Sequence, residues 1–191
     1  MYDKYTIYLI FNFFFICKLE HNIYKYMFKF TDAVDIYDDF DKEYRRHSKG
    51  AVILAPPGSG KTTFVNNQLG ELKNWIDSDN LFGDKGLNID WVGSHNEKLS
   101  YMRADYMLEQ SKQYGYKIIG ALFWKYIADA VVILPYEKHL EYYLSRKDLD
   151  KTKIKKTREV FLKHVEENNI PVFDNIEDAV KFLDNKWMYN S

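Results

Sequence analysis

The chain has 191 residues, 46% of them hydrophobic and 29% charged, which suits one domain built on a five-strand sheet with its helices. A net charge of −1 gives no global electrostatic reason to expect nucleic acid or an anionic membrane as a partner, and a single cysteine, Cys17, excludes an internal disulfide. The histidines (His21, His47, His95, His139, His164) are scattered without metal-ligand spacing, so no zinc site is expected.

Residues 5–17, YTIYLIFNFFFIC, are too few to span a bilayer as a helix. Asp3 and Lys4 cancel ahead of them, and no small-x-small cleavage site follows, so a signal peptide or anchor is not expected. Residues 1–35 read as an N-terminal extension, either packed or lying upstream of a start at Met27. Residues 36–191 form the domain proper, and a cytoplasmic location is expected.

From residue 50 strand and helix signals alternate, which predicts an α/β layer fold with a parallel sheet. AVILA (51–55) reads as a buried strand, and a helix over 61–73 follows with Val65, Leu69 and Leu72 on one face. NWID is a short second strand. SHNE (94–97) has capping-box spacing and opens a helix with an inner stripe of Leu99, Met102 and Tyr106, which Gly115 can close. KIIGALF (117–123) and AVVIL (130–134) are the third and fourth strands. Helices over 136–146 and 151–167 come next, then a strand at IPVF (170–173) and a closing helix over 176–183. The stretch between the third and fourth strands is short for a parallel crossover. Either the third strand ends early or the crossover is a single helical turn.

APPGSGKTT (55–63) satisfies the P-loop, or Walker A, pattern except that Ala55 stands where glycine is usual. A buried strand delivers the chain, and Gly58 and Gly60 let the backbone that follows Pro57 turn its N–H groups toward a phosphate. The helix that follows directs its own unpaired N–H groups at the same anion. Lys61 is placed to reach the β- and γ-phosphates of ATP. The Thr62 hydroxyl can join the shell of Mg²⁺, and Thr63 completes the motif.

Asp77 and Asp79 lie two apart at the end of the second strand. While the chain stays extended both point to one side, at the edge where the loop opens. One carboxylate there can hold Mg²⁺ through water while the other takes a proton from an attacking hydroxyl.

APPGSGKTT followed by WIDSDNL resembles the small P-loop kinases of metabolites, the group of shikimate, gluconate and nucleotide kinases. The resemblance implies a three-layer P-loop NTPase fold with a five-stranded parallel sheet in the order 2-3-1-4-5, Asp77 near Mg²⁺ and Asp79 at the substrate hydroxyl. It covers residues 50–185 as a pattern. The triple glycine and the carboxylate-binding arginines of shikimate kinases have no counterpart, so shikimate is not the expected substrate.

Of the 27 basic residues only five are arginines (Arg45, Arg46, Arg103, Arg146, Arg158), a bias expected of an AT-rich genome such as that of a large DNA virus. The arginines that survive it are candidates for sites needing a planar, forked donor. In the kinases that the chain resembles, a lid after the fourth strand closes over ATP and contributes arginine. Residues 145–160 occupy that place, with Arg146 the first match and Arg158 the second. Arg158 and Arg103, the latter on the helix between the second and third strands, are the candidates for contact with the substrate. Asp174, after the fifth strand, stands at the adenine-side loop. The expected function is transfer of the γ-phosphoryl group of ATP, with Mg²⁺, to an unidentified acceptor. The alternative is a P-loop NTPase that couples hydrolysis to a partner.

Overall fold

The computed structural model describes residues 40–81, 97–145 and 151–188. The chain divides into two units after Phe40, and the architecture below belongs to the second.

Five strands form one all-parallel sheet: β1 (Ala51–Leu54), β2 (Trp75–Asp77), β3 (Lys117–Gly120), β4 (Ala130–Val132) and β5 (Val172–Phe173). Their order is β2-β3-β1-β4-β5, as expected. Among the described residues, six helices accompany them: α1 (Lys61–Asn66), α2 (Ser78–Leu81), α3 (Glu97–Gln113), α4 (Tyr136–Leu144), α5 (Lys151–Asn168) and α6 (Ile176–Met188).

Every residue of β1 to β4 is buried, which is why these strands read as continuous apolar runs and not as alternations. Register then decides which helix each side chain meets. Ile53 pairs with Ile119, and Ile119 with Asp77, so these three share a face of the sheet. That face carries Val65 of α1 and Ile176, Ala179 and Leu183 of α6 in one cluster. The opposite face carries Leu54, whose partner Gly120 lies against Leu108 of α3.

Three expectations need correction. The helix after β1 ends at Asn66, not near residue 73, and Leu69 is 94% exposed. Gln68 is the cause. Its amide N–H groups donate to the carbonyls of Val65 (3.2 Å) and Trp75 (2.7 Å), and its carbonyl oxygen accepts from the N–H groups of Asn74 (3.0 Å) and Trp75 (2.8 Å). One side chain thus replaces a turn of helix and ties its end to β2. The inner stripe of α3 is rotated from the expected one: Ala104, Leu108 and Ser111 are fully buried, whereas Met102 and Tyr106 are only half-buried. Small side chains at 104 and 111 let the helix approach the sheet closely. Gly115, at φ +89°, closes this helix as expected, with Tyr116 N–H bonding the Ser111 carbonyl.

The third correction shortens the third strand, drawn to residue 123, and so bears out the first of the two alternatives for the short crossover. β3 stops at Gly120, and residues 121–129 run to β4 without a helix. Side chains pin this segment in place of helical bonds. The Asp105 carboxylate accepts the N–H groups of Trp124 and Lys125, both at 2.7 Å, and His164 Nε2–H donates to the Tyr126 carbonyl at 2.9 Å. Asp129 holds the far end, accepting from the Val52 N–H and pairing with Lys112. Among the described residues, no helix is long and apolar enough to cross a membrane.

Candidate functional site

The glycine-rich loop leaves β1 at the carboxyl edge of the sheet, where open parallel sheets place their ligand crevices. It closes on itself: Ser59 donates to the Pro56 carbonyl through both its N–H (3.2 Å) and its Oγ (2.7 Å). Gly58 and Gly60 stand at φ +86° and +85°, left-handed backbone that side-chain-bearing residues adopt at a cost. Their surroundings differ. A Cβ on Gly58 would touch Tyr143 of α4 at 3.4 Å, whereas a Cβ on Gly60 would meet nothing within 4 Å among the described residues. Lys61 is buried, with Nζ 3.4 Å and 3.5 Å from the carbonyls of Ala55 and Pro56. Its ammonium group therefore stands over the loop that precedes it.

Asp77 ends β2 on the face that α1 covers. Its carboxylate, in a residue only 2% exposed, accepts the Thr62 hydroxyl proton at 2.7 Å. Two residues from separate elements, both candidates for a Mg²⁺ shell, thereby meet beside the loop. Asp79 does not share this position. The chain turns into α2 at Ser78, so strand alternation no longer applies, and Asp79 is exposed. The second Asp77 oxygen accepts the Asp79 N–H at 3.2 Å and helps to start that turn.

A cavity of about 500 Å³ opens beside the loop, within the range of small-ligand sites. Gly58, Ser59 and Gly60 form one wall, and Thr63 and Phe64 of α1 with Asn67 just after it another. Lys138 and Tyr142 of α4 face them, and the turn at Asn175–Glu177 closes the end. Asp174 is exposed and is not part of the lining; its neighbour Asn175 is. The Asn175 side-chain Oδ1 accepts the Asp178 N–H at 2.8 Å and so caps α6 at the cavity's end.

Arg158, on α5, is not itself among the cavity-lining residues, although Leu134, which it bonds, is one of them. One of its terminal nitrogens donates to the Leu134 carbonyl (2.6 Å) and to His139 Nδ1 (3.1 Å). His139 is fully buried, and its Nε2 lies 2.8 Å from the Pro57 carbonyl. A carbonyl only accepts, so Nε2 carries the proton and Nδ1 receives the bond from Arg158. Burial pushes the imidazole below its ordinary value, and the charges of Arg158 and Lys61 act in the same direction; the bond to Pro57 opposes them. Burial also lowers the Arg158 guanidinium, which lies over the Tyr136 ring.

Arg146 lies outside the described residues. Arg103 belongs to α3 by its backbone, and its side chain is outside the described residues too. Sequence reasoning missed His139, Lys138 and Tyr142. The spacing of the last two, i and i+4 on a helix that starts at the carboxyl edge of the sheet, is the signal that finds them.

No protein-family model matches the chain, and no curated protein matches it.

Proposed function

We propose that the chain is a P-loop kinase that transfers the γ-phosphoryl group of ATP to a hydroxyl or phosphate of a small molecule or nucleotide. The observation that carries this reading is the 2.7 Å contact between Thr62 and the buried Asp77 carboxylate, beside a left-handed glycine loop and a cavity of nucleoside size. Mg²⁺ takes few protein ligands, keeping water and substrate phosphate for the rest. One hydroxyl oxygen and one buried carboxylate side by side fit that donor set. Bound there, the ion would neutralise charge on the β- and γ-phosphates.

In this reading Lys61 swings from the Ala55 and Pro56 carbonyls to the phosphates, and the nucleoside fills the cavity between α1, α4 and the Asn175 turn. Asp79, exposed at the start of α2, takes the proton of the acceptor. Arg146 approaches the transferred group, and Arg103 binds an anionic part of the acceptor. Arg158 acts from behind the loop and not at the substrate.

The separation of Asp79 from Asp77 favours a second reading, an NTPase that couples hydrolysis to a partner, because the shared face that paired metal and base is absent. A screen of hydroxyl and phosphate acceptors with γ-labelled ATP distinguishes the two. The kinase reading expects label on an acceptor, and a loss of roughly 10²–10⁴-fold in transfer for Asp79→Asn, the usual range for a general base. Asp77→Asn is expected to raise the Mg²⁺ concentration needed for activity. Rapid hydrolysis without any acceptor, or full transfer by Asp79→Asn, would overturn the kinase reading.

A further inference from the structure

The phosphate loop has few ways to hold its shape. Its two glycines are permissive, and α1 beyond it is short. Within the loop, Ser59 bonds the Pro56 carbonyl. His139 and Tyr143 of α4 are different: they are one helical turn apart and meet the loop side by side. Tyr143 lies against Gly58, and His139 bonds the Pro57 carbonyl at 2.8 Å. That carbonyl immediately precedes Gly58, so its direction sets the plane of the peptide that the first left-handed residue carries.

A neutral imidazole can present either ring nitrogen as the donor. Here the choice decides whether the loop is held or repelled. With the proton on Nε2 the Pro57 carbonyl is bonded; with it on Nδ1, two lone pairs face each other. Arg158 removes the ambiguity, because a guanidinium only donates and cannot accept from Nδ1–H. Its bond to the Leu134 carbonyl, 2.6 Å, fixes the guanidinium two residues beyond β4, so it cannot turn away readily.

We infer that Arg158 and His139 form a positioning pair that locks the imidazole tautomer and, through the Pro57 carbonyl, holds the phosphate loop in its nucleotide-receiving shape. The inference rests on the nucleotide-binding reading above. It gives both residues a task distinct from contact with substrate: neither touches ATP, and both act through one backbone carbonyl. The charge of Arg158 also keeps the buried ring neutral, since a second proton on Nδ1 would face a cation directly.

Two isosteric variants divide the imidazole's two bonds. His139→Gln can place an amide N–H near the Nε2 position and keep the Pro57 contact. His139→Asn can place a carbonyl near Nδ1 and keep the Arg158 contact while losing Pro57. Mg²⁺-ATP affinity by titration calorimetry, with thermal melting of the nucleotide-free protein, gives the readout, and Lys61→Ala serves as the control for the site.

We expect His139→Asn and Arg158→Ala to weaken Mg²⁺-ATP binding by about three- to tenfold, the range of one neutral hydrogen bond. His139→Gln should stay within about threefold of the parent, and ¹⁵N spectra of the parent ring should show the proton on Nε2. Melting points should remain far enough above the assay temperature that every variant is folded during titration. Parent affinity in both His139→Asn and Arg158→Ala would overturn the inference while leaving the nucleotide reading intact, as would a proton found on Nδ1. If His139→Gln is no better than His139→Asn, the Pro57 bond is not what matters, and the inference falls. If the parent protein and Lys61→Ala are alike in binding no nucleotide, the functional reading fails and the inference goes with it.

Discussion

Gly58 and Gly60 have nearly the same backbone conformation in different surroundings, and that contrast can be turned into a measurement. Alanine at either position must adopt φ near +85°, at about 1–2 kcal/mol for a left-handed residue with a Cβ. For a chain of this size that corresponds to a fall of about 2–8 °C in melting temperature. The added methyl on Gly58 would meet Tyr143 at 3.4 Å, an ordinary contact, so it adds little to the strain. The two variants are therefore expected to be destabilised equally, within about 0.5 kcal/mol. Their effect on ligand is expected to differ. The space around Gly60 is where a phosphate oxygen would approach the backbone, and a methyl there blocks a charge-assisted bond of about 1.5–3 kcal/mol. Gly60→Ala should accordingly lose about 10- to 150-fold in Mg²⁺-ATP affinity. Gly58→Ala, with its Cβ turned to α4, should lose much less. Denaturant melts and calorimetric titration of both variants give the two quantities. Equal losses of affinity at equal stability would refute the assignment of the open side of Gly60 to phosphate.

Gln68→Ala should destabilise the protein by about 2–4 kcal/mol, because it strips partners from backbone groups at the end of α1 and the start of β2; a denaturant melt showing less than about 1 kcal/mol would count against the clasp. Acid should weaken the fold through His139 and His47, both held by burial below the ordinary imidazole value of 6.5. Below that pH the unfolded chain binds protons that the folded one does not, so the stability present above it is lost as pH falls toward the folded values. Asp105, pushed up by burial, acts oppositely and nearer the carboxylate range. Urea melts at roughly pH 7.5 and roughly pH 5.5 should show this loss, and His139→Asn should show a smaller one; an unchanged pH difference in that variant would remove His139 as a cause.

The parts of the fold that were legible from sequence are those where local signal and tertiary context agree. AVILA, KIIG and AVV are buried on both faces, so an apolar run is itself the signature of the strand. Gly115 closes α3 because the left-handed closing turn needs a residue without a side chain. Failures occurred where one polar side chain redirected the backbone. Val65, Leu69 and Leu72 keep helical spacing, yet Gln68 satisfies the groups that would have continued the helix and leaves Leu69 in solvent. Asp77 and Asp79 would share a face of a strand, but the first carboxylate accepts the N–H of the second and a helix begins between them. The nearness of Asp77 to the loop was legible because the loop motif and the strand end are both local patterns, brought to one edge by a parallel sheet of this order. His139 was not, since a lone histidine on a helix carries no periodicity. Its significance lies in a carbonyl 82 residues earlier in the chain and an arginine 19 residues later.

Helix α4 shows why those distant contacts matter for the site as a whole. At 3.6 residues per turn, Lys138 and Tyr142 form one row on its surface, and His139 and Tyr143 form the next. The first row lines the cavity; the second grips the loop at Pro57 and Gly58. A ligand pressing on the first row therefore acts on the same rigid body that sets the second. Arg158 fastens that body to the Leu134 carbonyl just beyond β4, so α4 has a fixed end near the sheet and a working surface at the cavity. The base end and the phosphate end of a bound nucleotide would thus be sensed by adjacent rows of one helix. This makes the geometry of the loop depend on residues that need never touch the phosphates.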